Sequence, residues 1–169
     1  MARIWTFGTD VNTDQIVPGR FAPYMTSEDE LRKYAFVEAR PEFARDVRAG
    51  DVIVAGDNFG CGSSREYAAL ALKKCELGAI LAPSFARIFF RNALNLGLPL
   101  IEIDARHLAD GAEVTLDLER GVLVAEGATL ELPLPSGFAR EIWAAGGLIP
   151  YVLEHGGFPA TSERAEVRA

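Results

Sequence analysis

The stretch GDNFGCGSSREYAALALKKC, residues 56–75, joins a run of small residues to an apolar, charge-flanked segment of helical character. Glycines let a backbone approach a ligand closely, and the unpaired N–H groups of a helix's first turn favour negative charge. Ser63 and Ser64 stand at the junction, where hydroxyls can both cap a helix and face a ligand, and Arg65 offers a planar fork suited to a carboxylate. The chemistry implied is recognition of a small organic anion, with Asn58, Gly60, Cys61 and Gly62 forming the loop around it. Residue types alone leave a second reading open, in which a serine only caps the helix and the glycines only make a turn. A nucleotide-phosphate loop is not supported, because the Gly-Lys-Ser/Thr ending that grips phosphates is absent.

The elements that must position this loop follow from periodicity. DVIVAG, the loop and its helix, GAILAP, SFARIFFRNALNLG and LPLIEI alternate strand-length apolar runs with helical patterns. This is an α/β arrangement, a β-α-β-α-β unit with parallel strands and right-handed crossovers. It places the loop after the C-terminal end of a strand, where open α/β sheets usually bind ligands. Ser84 is the expected cap of the second helix and Gly97 its end. Upstream, ARIWTF reads as a strand, residues 27–36 as a helix capped by Ser27, and RPEFARDV as a short helix with Pro41 in its first turn. Downstream, AEVTLDLERGVLVAEGATLELPL alternates apolar and polar residues around Gly121 and Gly127, as antiparallel strands do. One or two C-terminal helices follow, and residues 161–169 are expected to fray.

The chain has 169 residues, 49% of them hydrophobic, enough for one domain (1–169) with a substantial core and too few for two ordinary ones. Its formal charge of −7 argues against a nucleic-acid partner, which calls for clustered Lys and Arg. No apolar run approaches the roughly 20 residues that span a bilayer, and the N-terminus lacks a signal-peptide pattern, so a cytoplasmic location without membrane contact is expected. The two cysteines, Cys61 and Cys75, make no disulfide framework.

NFGCGSSREYAALAL, followed by APSFARIFFRNALNLGLPL and preceded by NTDQIVPGR, resembles the small subunits of the aconitase-related hydro-lyases, 3-isopropylmalate dehydratase and its sister homoaconitase, over essentially the whole chain. The resemblance implies a swivelling β/β/α three-layer domain that closes over a 4Fe-4S cluster carried by a separate large subunit, in a heterodimer or heterotetramer. It implies a 2-hydroxy acid substrate, dehydrated and rehydrated on the neighbouring carbon. Ser63 matches the catalytic base, and Ser64 and Arg65 match the positions that hold substrate carboxylate; the cluster supplies a Lewis acid for the hydroxyl. A substrate-accessible cluster takes three thiolates, and two cysteines cannot supply them, so no metal ligand is expected in this chain. Cys61 reads as a small packing residue facing the cavity and Cys75 as core.

Within the resemblance, the stretch after PGR distinguishes the variable arm of the malate. Here Arg20 is followed by Phe21, Ala22, Pro23, Tyr24 and Met25, an apolar lining with no further basic residue, which favours isopropylmalate in leucine biosynthesis. The same loop is also similar to the Tyr-Ala-Pro-Phe type of some bacterial homoaconitases, where Arg20 would reach a distal carboxylate. A non-catalytic regulatory or RNA-binding module is a third reading, opposed by the acidic balance. His107 and His155 suit surface or helix-end roles, Asp10 and Asp14 suit Asx turns more than metal ligation, and Arg87 with Arg91 suits a domain contact or a local ion pair.

Overall fold

Side-chain alternation along the strands sorts the apolar residues into two cores on opposite faces of one sheet. The structure is a computed structural model and describes residues 1–25 and 27–158. Among these, seven strands form a mixed sheet: β1 (Ala2–Thr6), β2 (Val52–Val54), β3 (Ala79–Ala82), β4 (Leu100–Glu102), β5 (Glu113–Asp117), β6 (Val122–Ala125) and β7 (Ala128–Glu131), in the order β4-β3-β2-β1-β5-β6-β7. β1 to β4 run parallel; β5 joins β1 antiparallel and continues as an antiparallel meander through β6 and β7. The sequence places the parallel unit from β2 onward, and the structure adds β1 to it.

Trp5, Ile53 and Ile80 face the helices. Ile4, Val52, Val54, Ala79 and Leu81 face the other way, against Val114, Leu123 and Ala125 of the meander. The sheet therefore curls so that its antiparallel half covers its parallel half, and the layers run helix, parallel strands, antiparallel strands. That double coverage is why β2 and β3 read as unbroken apolar runs and β5 and β6 as alternating ones. The helices are α1 (Thr13–Ile16), α2 (Pro41–Asp46), α3 (Glu66–Lys74), α4 (Arg87–Asn95), α5 (Gly137–Ala144) and α6 (Leu148–His155). α3 packs through Ala68, Ala69, Ala71 and Leu72, and α4 through Phe89 and Ala93.

Two helix expectations are corrected. Residues 28–34 form a 3₁₀ helix, and Ser27 makes no side-chain cap bond. The i, i+3 repeat of that form aligns Leu31 with Tyr34 on the one side that meets the core. Ser84 does not cap α4, whose N-cap is Ala86; its hydroxyl is used elsewhere, as described below. Gly97 does end α4, with a φ of +66° and a paired closure in which Gly97 N–H donates to Leu94 O and Leu98 N–H to Ala93 O. Residues 161–169 lie outside the described residues.

Arg40 ties the layers together. It donates to Asp110 at 2.7 and 2.9 Å, to Glu42 at 2.9 Å and to Thr6 O at 3.1 Å, and stacks over Trp5 at 4.5 Å. Hydrogen bonds from Arg40 hold the Asp110 carboxyl at about 2, below its ordinary 3.8. Because the folded value is depressed, the stabilisation is complete above about pH 4 and lost as pH falls towards 2. Urea titrations should show a fall in midpoint across that window that is smaller in Asp110→Asn. The difference is modest, since 44% of the Asp110 side chain is exposed and its field is screened.

Candidate active site

Three loops meet beyond the C-terminal ends of β1, β2 and β3. The central one, residues 55–65, is clamped on both sides. Towards the first loop, Asp10 N–H donates to Asp57 O (2.9 Å), Gly60 N–H to Val11 O (2.7 Å) and Thr13 N–H to Cys61 O (2.9 Å). Towards the third, Asn58 N–H donates to the Ser84 hydroxyl at 2.8 Å, Phe59 N–H donates to Ser84 O at 3.1 Å, and Phe59 O accepts from Ala86 N–H at 2.9 Å. Asn58 also donates from its side chain to Asp10 at 2.8 Å, and both residues take left-handed backbone conformations. The buried ring of Phe59 pins the loop between Phe85 and Phe89.

The clamp ends at the serines. The Thr13 hydroxyl donates to the Ser63 carbonyl at 3.0 Å, and α3 begins only at Glu66, with Arg65 as its N-cap. The expectation that Ser63 or Ser64 caps this helix is therefore corrected: the chain stays extended through Arg65, at φ −113° and ψ 100°, too far ahead of the helix for a serine cap. Both serines are exposed, and among the described residues neither hydroxyl has a hydrogen-bond partner. The hydroxyls stand immediately ahead of the first N–H groups of α3, those of Glu66 and Tyr67. Arg65 is mostly covered and pairs with Asp14. Burial works against its charge, but the hydrogen bond to Asp14, with help from Tyr67, raises its pKa still further.

Arg20 to Tyr24 lie in a 3₁₀ turn, Gly19–Tyr24. Arg20 pairs with Glu38 and lies over the Phe21 ring at 5.1 Å, while Phe21 stacks on Tyr34 at 5.0 Å. Ala22, Pro23 and Tyr24 are exposed. The structure does not gather these residues into one pocket. Instead Ala22 and Met25 line an open groove with Ser27, Glu28, Leu31 and Tyr67, and Tyr67 stands 6.0 Å from the Arg65 guanidinium. Tyr67 thus neighbours both the groove and Arg65.

The aconitase C-terminal domain family matches residues 11–106, the segment that holds all of these contacts from Val11 onward. The chain belongs to that family. Within the aconitase family it is 52% identical, over 98% of its length and 94% of the relative's, to "3-isopropylmalate dehydratase small subunit 1" of Deinococcus radiodurans. It is 50% identical to the homoaconitase small subunit of Thermus thermophilus, over 94% of this chain and 99% of that one. The crystal structure of 3-isopropylmalate dehydratase from Methanocaldococcus jannaschii superposes with a TM-score of 0.86 at 43% identity, covering 92% of this chain and 93% of that chain. The fold is the aconitase swivel-type domain.

The family's iron–sulfur cluster does not fit this chain's own donors. Ligand thiols must be thiolates. Burial pushes the Cys75 thiol up to about 12, and burial followed by the charge of Asp10 raises that of Cys61. Cys75 sits in the core, and Cys61 is half-buried with its thiol 3.4 Å from Asp10 O. Among the described residues no three His, Cys, Asp or Glu side chains are grouped to hold a metal. Asp10 and Asp14 instead serve Asn58 and Arg65. Arg87 and Arg91 are exposed and, among the described residues, form no ion pair. His107 is exposed, and His155, in the last turn of α6, stacks on Tyr151.

Sequence reasoning missed Thr13 and Glu38, and it read Ser84 as a helix cap rather than as a partner of the site loop. One signal was legible: Asn12 and Gln15 have capping-box spacing, and in the structure that box starts α1 and so presents Thr13 and Asp14 to the loop. The Ser84 and Glu38 contacts join segments far apart in sequence and leave no local pattern.

Proposed function

We propose that the chain is the small subunit of a two-subunit hydro-lyase that isomerises 2-isopropylmalate to 3-isopropylmalate in leucine biosynthesis. The observation that carries this reading is the pair of free hydroxyls at Ser63 and Ser64, held beside Arg65 by a loop clamped on both sides, in a chain about half identical to named small subunits of this kind. In the reaction Ser63, as alkoxide, takes the proton from the carbon next to the hydroxyl-bearing one. Hydroxide leaves, a carbon–carbon double bond forms, and water returns with the two positions exchanged. Arg65 and Ser64 hold a substrate carboxylate so that the reacting carbon faces Ser63. A serine hydroxyl is a poor base at neutral pH, and the first N–H groups of α3 and the neighbouring guanidinium favour its ionised form. The large subunit contributes the 4Fe-4S cluster, whose chemistry is Lewis acidity towards the hydroxyl oxygen. We assign Arg87, Arg91 and the half-exposed Ile88 of α4 to the contact with that subunit, because α4 begins where the third loop meets the site. The single swivel domain works in the cytoplasm, where two free thiols are stable.

The side-arm groove favours an apolar substituent, since Ala22, Met25 and Leu31 line it, Lys74 is paired with Glu28 of its lining, and Arg20 is engaged by Glu38. Anaerobic mixing of both subunits with iron, assayed on isopropylmalate, homocitrate and homoaconitate, should give kcat/KM for isopropylmalate higher by roughly tenfold or more. The homoaconitase reading rests on the Thermus relative and requires Arg20 to leave Glu38 for a distal carboxylate; a preference for homoaconitate would establish it instead. Equal inactivity on all three would overturn the hydro-lyase reading.

A further inference from the structure

Asp14 lies between the two halves of the candidate site. Its Oδ1 accepts the Gly19 N–H at 3.2 Å, at the first residue of the side-arm turn, and the same oxygen pairs with the Arg65 guanidinium. Gly19 and Arg65 are also packed directly together: a Cβ at Gly19 would stand 2.8 Å from one terminal nitrogen of Arg65 and 3.1 Å from its Cζ. The guanidinium thus fills the space where any side chain at position 19 would begin. One position earlier, Thr13 holds the backbone of the same loop at Cys61 O and Ser63 O. α1 therefore fixes the backbone of the catalytic turn through one residue and its arginine through the next.

We propose that Asp14 is a positioning residue that sets Arg65 for the substrate carboxylate and links that arginine to the turn reading the variable arm. This rests on the assignment of Arg65 to carboxylate binding. A guanidinium presents five N–H donors in a fixed fork. Asp14 engages one terminal nitrogen through a single oxygen and Gly19 packs against the guanidinium, which together limit its position while leaving other donors for substrate. Because the same oxygen holds Gly19, a shift of the 19–24 turn moves the guanidinium, and occupancy of the side-arm groove is felt at the carboxylate subsite.

The test uses the assembled heteromer with isopropylmalate. Asp14→Asn keeps the size of the side chain and weakens its hold on both partners. KM should rise about tenfold, with kcat changed less than threefold and the thermal midpoint nearly unchanged. Gly19→Ala, which displaces the guanidinium from the other side, should raise KM similarly. The double variant should fall well short of the product of the two single effects, because both act through Arg65. Arg65→Lys serves as the reference. If it raises KM strongly while Asp14→Asn leaves KM unchanged, or if the Asp14 and Arg65 effects simply multiply, the positioning role is overturned and the carboxylate assignment stands. If Arg65→Lys itself leaves KM unchanged, the carboxylate assignment fails and the role of Asp14 with it.

Discussion

Ser63→Ala should abolish turnover in the assembled enzyme, by at least about a thousandfold in kcat, with folding and assembly left intact. The two halves of that expectation have separate causes. The catalytic half follows from chemistry: with no oxygen at this position nothing is left to take the carbon-bound proton, and water replacing it would lack the positioned charge. The structural half follows from the surroundings of the side chain. Ser63 is exposed, its hydroxyl has no partner among the described residues, and the loop contact made at this position uses the carbonyl, which alanine retains. Surface substitutions without such contacts usually change stability by less than about 0.5 kcal/mol. The measurement is kcat in anaerobically reconstituted heteromer, beside the thermal midpoint and the elution volume of the complex. Near-normal kcat would remove Ser63 as base. Loss of activity together with loss of assembly would mean instead that the serine serves the subunit contact.

The same contrast between side chain and backbone explains what could be read from the sequence. β2, β3 and β4 were legible because parallel strands covered on both faces become unbroken apolar runs, and β5 to β7 because a meander covered on one face alternates. The serine, arginine and glycine content of residues 58–65 marked the turn as a candidate anion site but left a plain cap and turn equally open. The start of α3 was not legible, since a serine before a helix looks the same whether its hydroxyl bonds the helix or faces outward; here Thr13, fifty residues away, holds the Ser63 carbonyl and leaves the hydroxyl out. Ser84 misled for the same reason, its hydroxyl accepting from Asn58 rather than from α4. The 3₁₀ form of residues 28–34 depended on which single edge meets the core, a tertiary fact. In the side-arm turn, composition indicated an apolar lining, but Phe21 spends its ring on Tyr34 and the groove draws on Leu31 and Tyr67 from other elements.

Gly60 is where fold and site depend most tightly on each other, and Gly60→Ala should damage both. The residue has a φ of +80°, and a Cβ there would stand 2.5 Å from Cβ of Phe89, with the ring closer still. Phe89 is 2% exposed and holds α4 against the sheet, so it has nowhere to move without opening the core. The left-handed backbone costs alanine about 1 kcal/mol, and overpacking typically adds 1–3 kcal/mol. The urea midpoint should fall by the equivalent of roughly 3 kcal/mol with an unchanged slope. The activity of the folded fraction should fall as well, because Gly60 N–H bonds Val11 O at 2.7 Å and any shift that relieves the ring also moves Ser63, three residues on. A displacement near 1 Å at a catalytic group costs on the order of a hundredfold in rate. Phe89→Leu tests where the clash lies: Cβ and Cγ of residue 89 are the two nearest atoms and leucine keeps both, so Gly60→Ala should cost nearly as much in that background as in the parent. A cost that falls to about 1 kcal/mol there would show that the flat ring, rather than the close approach of α4, is what demands glycine.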